Sequence, residues 1–206
     1  MRVTLDGEPV AHEAQSGETL SALLAAIASR QASDRRLVSV RVNGQLLQDE
    51  ELSRRLAQPV AGDDTIELGS ADARGVVADA LREAALHLSE SQLARDDLVD
   101  LLTSGRMSEA APRLAEALAC WQVCQRTLVE ASAFLGRDLT SWAHEDRALG
   151  ERLRGLADKL RELRDAVEAR DWVLVTDLVQ YEMSDLASAW RGALTSLADT
   201  LGEPSL

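Results

Sequence analysis

The stretch Leu149–Val167 reads LGERLRGLADKLRELRDAV. Leu149, Leu153, Leu156, Leu160, Leu163 and Val167 recur at intervals of 4, 3, 4, 3 and 4 residues. That rhythm is the apolar seam of a helix packed lengthwise against others. Working outward, Leu114, Leu118, Trp121, Gln125, Leu128, Ser132 and Leu135 keep the same spacing. So do Val77, Leu81, Ala84, Leu88, Leu98 and Leu102, with Ser91 and Arg95 at the intervening seam positions. A fourth seam runs from Trp172 to Leu201. Gly105 and Gly136 read as helix stops, Ser108 and Pro112 as the next start, and Thr140 or Ser141 as a cap for the third helix. Four successive amphipathic helices with short joints, the last joint at EARDW (168–172), predict a mostly antiparallel four-helix bundle over residues 71–206.

Residues 1–70 follow a different period. RVTLDG alternates, placing Val3 and Leu5 on one strand face. LVSVRVNG places Leu37 or Val38, then Val40 and Val42, on another face and ends at the turn signal Asn43-Gly44. Between them, Thr19 can cap a helix whose inner face carries Leu20, Leu23, Leu24 and Ile27. DEELSRRLAQP predicts a short helix ending before Pro59, and AGDDTIELG a turn into a last strand with Ile66 and Leu68. The chain is therefore read as α+β, with an N-terminal domain at 1–70 and a helical domain at 71–206.

The opening MRVTLDGEPV, the entry SGETLSALL, the strand-turn-strand VSVRVNGQLL and the closing AGDDTIEL together resemble the β-grasp fold. More narrowly, they are similar to the small sulfur carriers of thiamine and molybdopterin synthesis. The resemblance covers about a third of the chain. It implies a ubiquitin-like N-terminal domain. Those carriers act through a free Gly-Gly tail whose carboxylate is adenylated and thiolated. Here Gly69 stands alone and the chain runs on into LGSADARGVV. A retained fold used as a binding surface is therefore expected. A sulfur-carrier or ubiquitin-like modifier precursor would require cleavage near Gly69.

Composition removes several classes of function. Of 206 residues, 46% are hydrophobic, enough for a core, yet only 3% are aromatic. The core is then mostly Leu, Ala and Val, a mixture suited to close helix packing. A net charge of −13 opposes nucleic acid and anionic membrane surfaces alike, since both need clustered Lys and Arg. No apolar run is long enough to span a bilayer. The N-terminus lacks the apolar core of a signal peptide, and Cys120 and Cys124 form no disulfide framework. A cytoplasmic setting is expected.

Candidate chemistry is sparse. Cys120 and Cys124 are half of a zinc ligand set at most, with no histidine at ligand spacing, and a pair four apart on a helix closes a disulfide poorly. They are read as core residues. No Glu-x-x-His pair supports a di-iron site. No nucleophile elbow or phosphate loop occurs. No catalytic, cofactor-binding or metal-binding residue is assigned.

The last helix is the exception. On a wheel of 100° per residue with Leu178 at zero, the face holding Trp172, Val179, Met183 and Trp190 spans about 60° to 160°. Leu174, Leu178 and Tyr181 form a second, shorter stripe between about −60° and 0°. Glu182 lies between the stripes and Asp185 borders the second. These carboxylates are read as boundary ion-pair partners, or else as acids in a cleft. The second stripe is the candidate interface, docking the N-terminal domain, a twin subunit in a homodimer, or another protein. The expected function is a non-enzymatic interaction module: an adaptor, assembly factor or chaperone-like binder. The alternatives are the modifier precursor and an enzyme with an unfamiliar site between the domains.

Overall fold

The computed structural model describes residues 1–12, 17–32 and 34–203; Ser16, at the start of the SGETLSALL motif, lies outside them. The chain is α+β. It divides into two compact units, Met1–Ala73 and Arg74–Leu206.

The first unit contains β1 (Arg2–Leu5), β2 (Glu8–Pro9), α1 (Leu20–Ala28), β3 (Arg35–Val42), β4 (Gln45–Leu46), α2 (Asp49–Leu56) and β5 (Thr65–Asp72). These strands form a five-stranded sheet in the order β2-β1-β5-β3-β4. β1 and β5 run parallel at its centre, and the other pairs are antiparallel. Alternation along the strands sends Val3, Val40, Val42, Ile66 and Leu68 to one face, where Leu20, Leu23 and Ile27 of α1 meet them. Thr19 caps α1 by accepting from the Ala22 N–H at 3.3 Å. A bulge between Leu37 and Ser39 decides which residue faces inward: Leu37 packs on the core and Val38 is exposed.

One buried carboxylate ties the turns of this unit together. Asp64 accepts from Arg55 Nη2 at 2.7 Å, Asn43 Nδ2 at 2.9 Å and the Ala61 N–H at 2.8 Å. Asn43 sits at φ 54 and Gly44 at φ 82, the paired left-handed conformations that this hairpin turn demands. Asn43 Oδ1 also accepts from the Thr65 N–H at 2.8 Å. The Ala61 amide, then Asn43, then Arg55 hold the Asp64 carboxyl below its ordinary range.

The second unit is helical: α3 (Ala73–Leu93), α4 (Arg95–Thr103), α5 (Met107–Leu135), α6 (Leu149–Glu168), α7 (Trp172–Asp177) and α8 (Met183–Gly202). A single π turn, Leu178–Glu182, joins α7 to α8. The structure differs from the expected helix punctuation in three places. The first seam is two helices, broken at Ala94. Pro112 lies inside α5, which starts at Met107. Thr140 does not cap α6; it donates to Asp138, and a hairpin of β6 (Ala143–His144) and β7 (Arg147–Ala148) intervenes.

Two clusters fill the helical unit. The larger joins α3, α5, α6 and α8 through Leu81, Leu88, Trp121, Leu156, Trp190 and Leu194. Trp121 and Trp190 meet edge to face, their centroids 6.2 Å apart. The smaller joins α4, the start of α5, the end of α6, α7 and the π turn through Leu98, Leu102, Ala110, Leu163, Val175 and Leu178.

Replacing Asp64 with Ala is expected to destabilise the first unit by about 3 kcal/mol at pH 7, because it leaves a half-buried guanidinium and two donors unpaired. A carboxylate with a depressed native pKa adds stability above its unfolded pKa of about 3.9 and loses it as pH falls through the native value. The gap between urea melts of the two chains should therefore begin to close below about pH 4 and vanish once pH is below the depressed native value. A difference that persists unchanged at pH 2 contradicts this account.

Candidate functional site

The stripes of the last helix resolve once the π turn is seen. The Met183 N–H donates to the Leu178 carbonyl five residues back. The extra residue turns the following helix relative to the preceding one. Buried residues before and within the turn (Val175, Leu178, Val179) and after it (Ala187, Trp190, Leu194, Leu197) are thereby aimed at different clusters. Leu178 is 1% exposed and lies beneath Leu98 and Leu102 of α4. Leu174 and Tyr181 are exposed, at 37% and 59%. The proposed stripe thus splits: one member is core, and two remain on the surface beside Val173.

The two carboxylates part company as well. Glu182 pairs with Lys159, the chain's single lysine, which also donates to Glu162 at 2.8 Å. Glu162 first and Glu182 second raise the ammonium above its ordinary range. Glu182 is nearly half exposed, and Asp185 is exposed. Neither points into an enclosed cleft with the other.

A site that the sequence did not single out opens nearby. It is a groove of about 200 Å³ among α3, α4, α5, α6, the π turn and the start of α8. Leu98, Leu114, Leu118, Trp121, Leu163, Val179, Met183 and Ala187 form its apolar lining. Its lip carries Gln92, Arg95, Arg113, Glu116, Cys120 and Ser184. The lip groups are largely satisfied among themselves. Gln92 Nε2 donates to the Ser184 carbonyl at 2.9 Å, and Arg95 Nη1 to Ser184 Oγ at 2.6 Å. Arg95 Nε and Nη2 both reach Asp96 Oδ1, at 3.0 and 2.8 Å, and Arg113 Nη1 reaches Glu116 at 3.1 Å.

Three sequence features make this opening. Ser91 and Arg95 stand where the α3–α4 seam would otherwise supply leucines. Their polar ends keep to the lip and leave the inner volume unfilled. The break at Ala94 and the π turn border the opening, Ala94 and Val179 being among its lining residues. The polar interruption was the one signal in the sequence that pointed here. Single π turns are frequent at functional sites.

The two cysteines differ sharply. Cys124 is fully buried against the Ala84 carbonyl at 3.7 Å. Burial first, and Cys120 second, push its thiol up to about 12. Cys120, one turn earlier, lines the groove and is partly exposed. Among the described residues no group of His, Cys, Asp and Glu is arranged to hold a metal ion, and no helix is long and apolar enough to cross a membrane.

Two outcomes follow from this geometry. Thiolate is the reactive form of cysteine, so iodoacetamide at pH 8 should label Cys120 alone in the folded chain and both thiols after unfolding; equal labelling of Cys124 in the folded chain refutes its burial. Replacing Glu182 with Gln should change stability by no more than about 0.5 kcal/mol, the scale of an exposed ion pair. A loss several times larger in a thermal melt would mean that Glu182 holds more than Lys159.

Comparison with known proteins bears on the helical unit most directly. A model described as Domain of unknown function (DUF8042) matches residues 79–193, a span that contains every residue lining the groove. An uncharacterized protein of Treponema pallidum (strain Nichols) is 25% identical, the match covering 89% of this chain and 91% of that protein. No solved structure matches the chain. Since the family model spans more than half of the residues, the chain belongs to the DUF8042 family.

Proposed function

We propose that the chain is a non-enzymatic protein-interaction module, made of a β-grasp domain and a four-helix bundle, whose groove receives an apolar element of a protein partner. The β-grasp reading rests on the central parallel β1/β5 pair, the strand order and the single helix α1 across one face. The bundle reading rests on α3, α5, α6 and α8 sharing one core, with α4 as an added short helix.

The groove is the observation that carries the interaction reading. It is too small for a drug-sized ligand, whose pockets run from about 300 Å³ upward. It is large enough for a bulky side chain, since an apolar cavity of about 150 Å³ holds benzene. Amphipathic helices dock in this way, with anchor side chains set in an apolar trough. Met183 and Trp121 suit the floor: methionine adapts its shape, and tryptophan supplies area with little entropy to lose.

Two other readings have less support. A modifier precursor needs a cut near Gly69, yet Gly69 lies inside β5, opposite Ser39. The next residue is fastened as well: the Ser70 N–H and Oγ donate to Asp6 at 2.7 and 2.6 Å. A protease would have to open the sheet to reach that bond. The enzyme reading needs acids poised in a cleft, whereas Glu182 is neutralised by Lys159 on the surface.

The test is a groove-filling substitution, Ala117→Trp, at a half-buried residue of α5 that lines the groove. Proteins captured from the natural host by the full chain would be identified, purified and titrated against both chains. At least one is expected to bind the unaltered chain and to lose tenfold or more against Ala117→Trp, with the fold intact by circular dichroism. If every captured protein binds both chains alike, or none binds, the groove is not a docking site.

A further inference from the structure

Apart from the groove, we infer that the outer face of α3 is a second docking surface, and that it takes a basic amphipathic helix of a partner protein. Val76, Asp79, Glu83, Leu86, Glu90 and Leu93 recur at intervals of 3, 4, 3, 4 and 3 residues. Every one of them is exposed. They form a seam on the back of the helix, for Leu86 stands about 160° round the wheel from the buried Leu88. Leu93 is the most exposed large apolar side chain among the described residues, at 84%, and Leu86 is 58% exposed. Exposed leucines scattered singly are ordinary on a protein surface. These two lie seven residues apart, in line along one helix. A second helix packed lengthwise sets its own apolar residues at that spacing.

The charges between the leucines choose the partner. Asp79 shares the guanidinium of Arg82 with Asp199. Glu90 has only His87, at 3.3 Å, which is charged only when protonated. Glu83 forms no ion pair with any described residue. Carboxylates thus outnumber cations along the seam, and they alternate with its apolar members. Lys and Arg beside a partner's leucines would meet them directly. A second copy of the chain fits badly. Antiparallel pairing of two such seams about their midpoint sets Asp79 of each copy against Glu90 of the other. Parallel pairing sets Glu83 against Glu83 and Glu90 against Glu90. Like charges so placed repel, and the net charge of −13 on each chain adds to the opposition.

The probes are three labelled 18-residue model helices. The first carries leucines in one seam flanked by Lys and Arg. The second has Glu in place of those cations. The third keeps the charge of the first but scatters its leucines round the helix. Each is titrated with the full chain by fluorescence anisotropy at low and physiological salt. The first should bind at least tenfold more tightly than either of the others. Combining Leu86→Gln with Leu93→Gln should weaken it tenfold or more. Combining Glu83→Gln with Glu90→Gln should weaken it about threefold and flatten its salt dependence. Ala117→Trp, which fills the groove, should leave it unchanged. The four seam positions are exposed, and circular dichroism confirms that the variants fold. Failure of the first helix to bind, or binding equal to that of the second or third, overturns the inference. Binding that survives the double leucine substitution overturns it as well. Loss of binding with Ala117→Trp places the helix in the groove and strikes out the second surface. A dimer seen by light scattering and abolished by the double leucine substitution gives the seam to a second copy and refutes the basic partner.

Discussion

The last helix holds the helical unit together by being slightly wrong. At Leu178–Glu182 it takes one residue more than a regular turn, and the Met183 N–H reaches back five residues to Leu178. On a 100°-per-residue wheel, the buried face after that turn is rotated roughly 60° from the face before it. This lets one continuous rod serve two cores. Before and within the turn, Val175, Leu178 and Val179 close on Leu98, Leu102 and Leu163. After it, Trp190, Leu194 and Leu197 close on Leu81, Leu88, Trp121 and Leu156. A straight helix would satisfy one cluster and leave the other open along its side.

The same device explains how a chain so poor in aromatic residues packs. Leucine and alanine allow close helix approach, but they fill corners badly. The corners are given to tryptophan: Trp121 against Trp190 at the centre, and Trp172 partly buried against the smaller cluster. Trp142 does the same beside the hairpin, stacked on His144 at 6.1 Å. The buried Arg152 fastens that hairpin, donating from Nη2 to the His144 carbonyl at 2.8 Å. Burial first and Arg147 second lower its guanidinium, a small penalty set against holding the α5–α6 connection in place.

Where residue type reports the local backbone directly, the sequence was a sound guide. Asn43-Gly44 forms its left-handed turn, Thr19 caps its helix, Gly136 closes α5 in the αL conformation, and the leucine seam of 149–167 is one helix. The features that escaped have no residue of their own. The π turn LVQYE contains no glycine or proline, and its cause is the pull of two cores on one helix. The hairpin turn uses Glu145 and Asp146 at φ 51 and φ 59, in place of the Asn-Gly that would have announced it. The break at Ala94 hides in a run of good helix formers. The candidate interface was read on an uninterrupted wheel, and so Leu178 was grouped with Leu174 and Tyr181, although α4 covers it.

The groove is the joint consequence of these hidden features, and its cost argues for its use. An apolar volume of about 200 Å³, if sealed, would cost roughly 5 kcal/mol at about 24 cal/mol per Å³. Being open to water it costs less, but the total stability of a domain is only about 5–15 kcal/mol. Leucine in place of Ser91 or Arg95 would continue the seam and fill the volume. The chain instead keeps polar groups there, and Arg95 and the neighbouring Gln92 donate to Ser184, on the far side of the opening. Such a lip holds the trough open and fixes its width. That arrangement sacrifices packing in the free chain, a loss that an apolar group docked as proposed would make good.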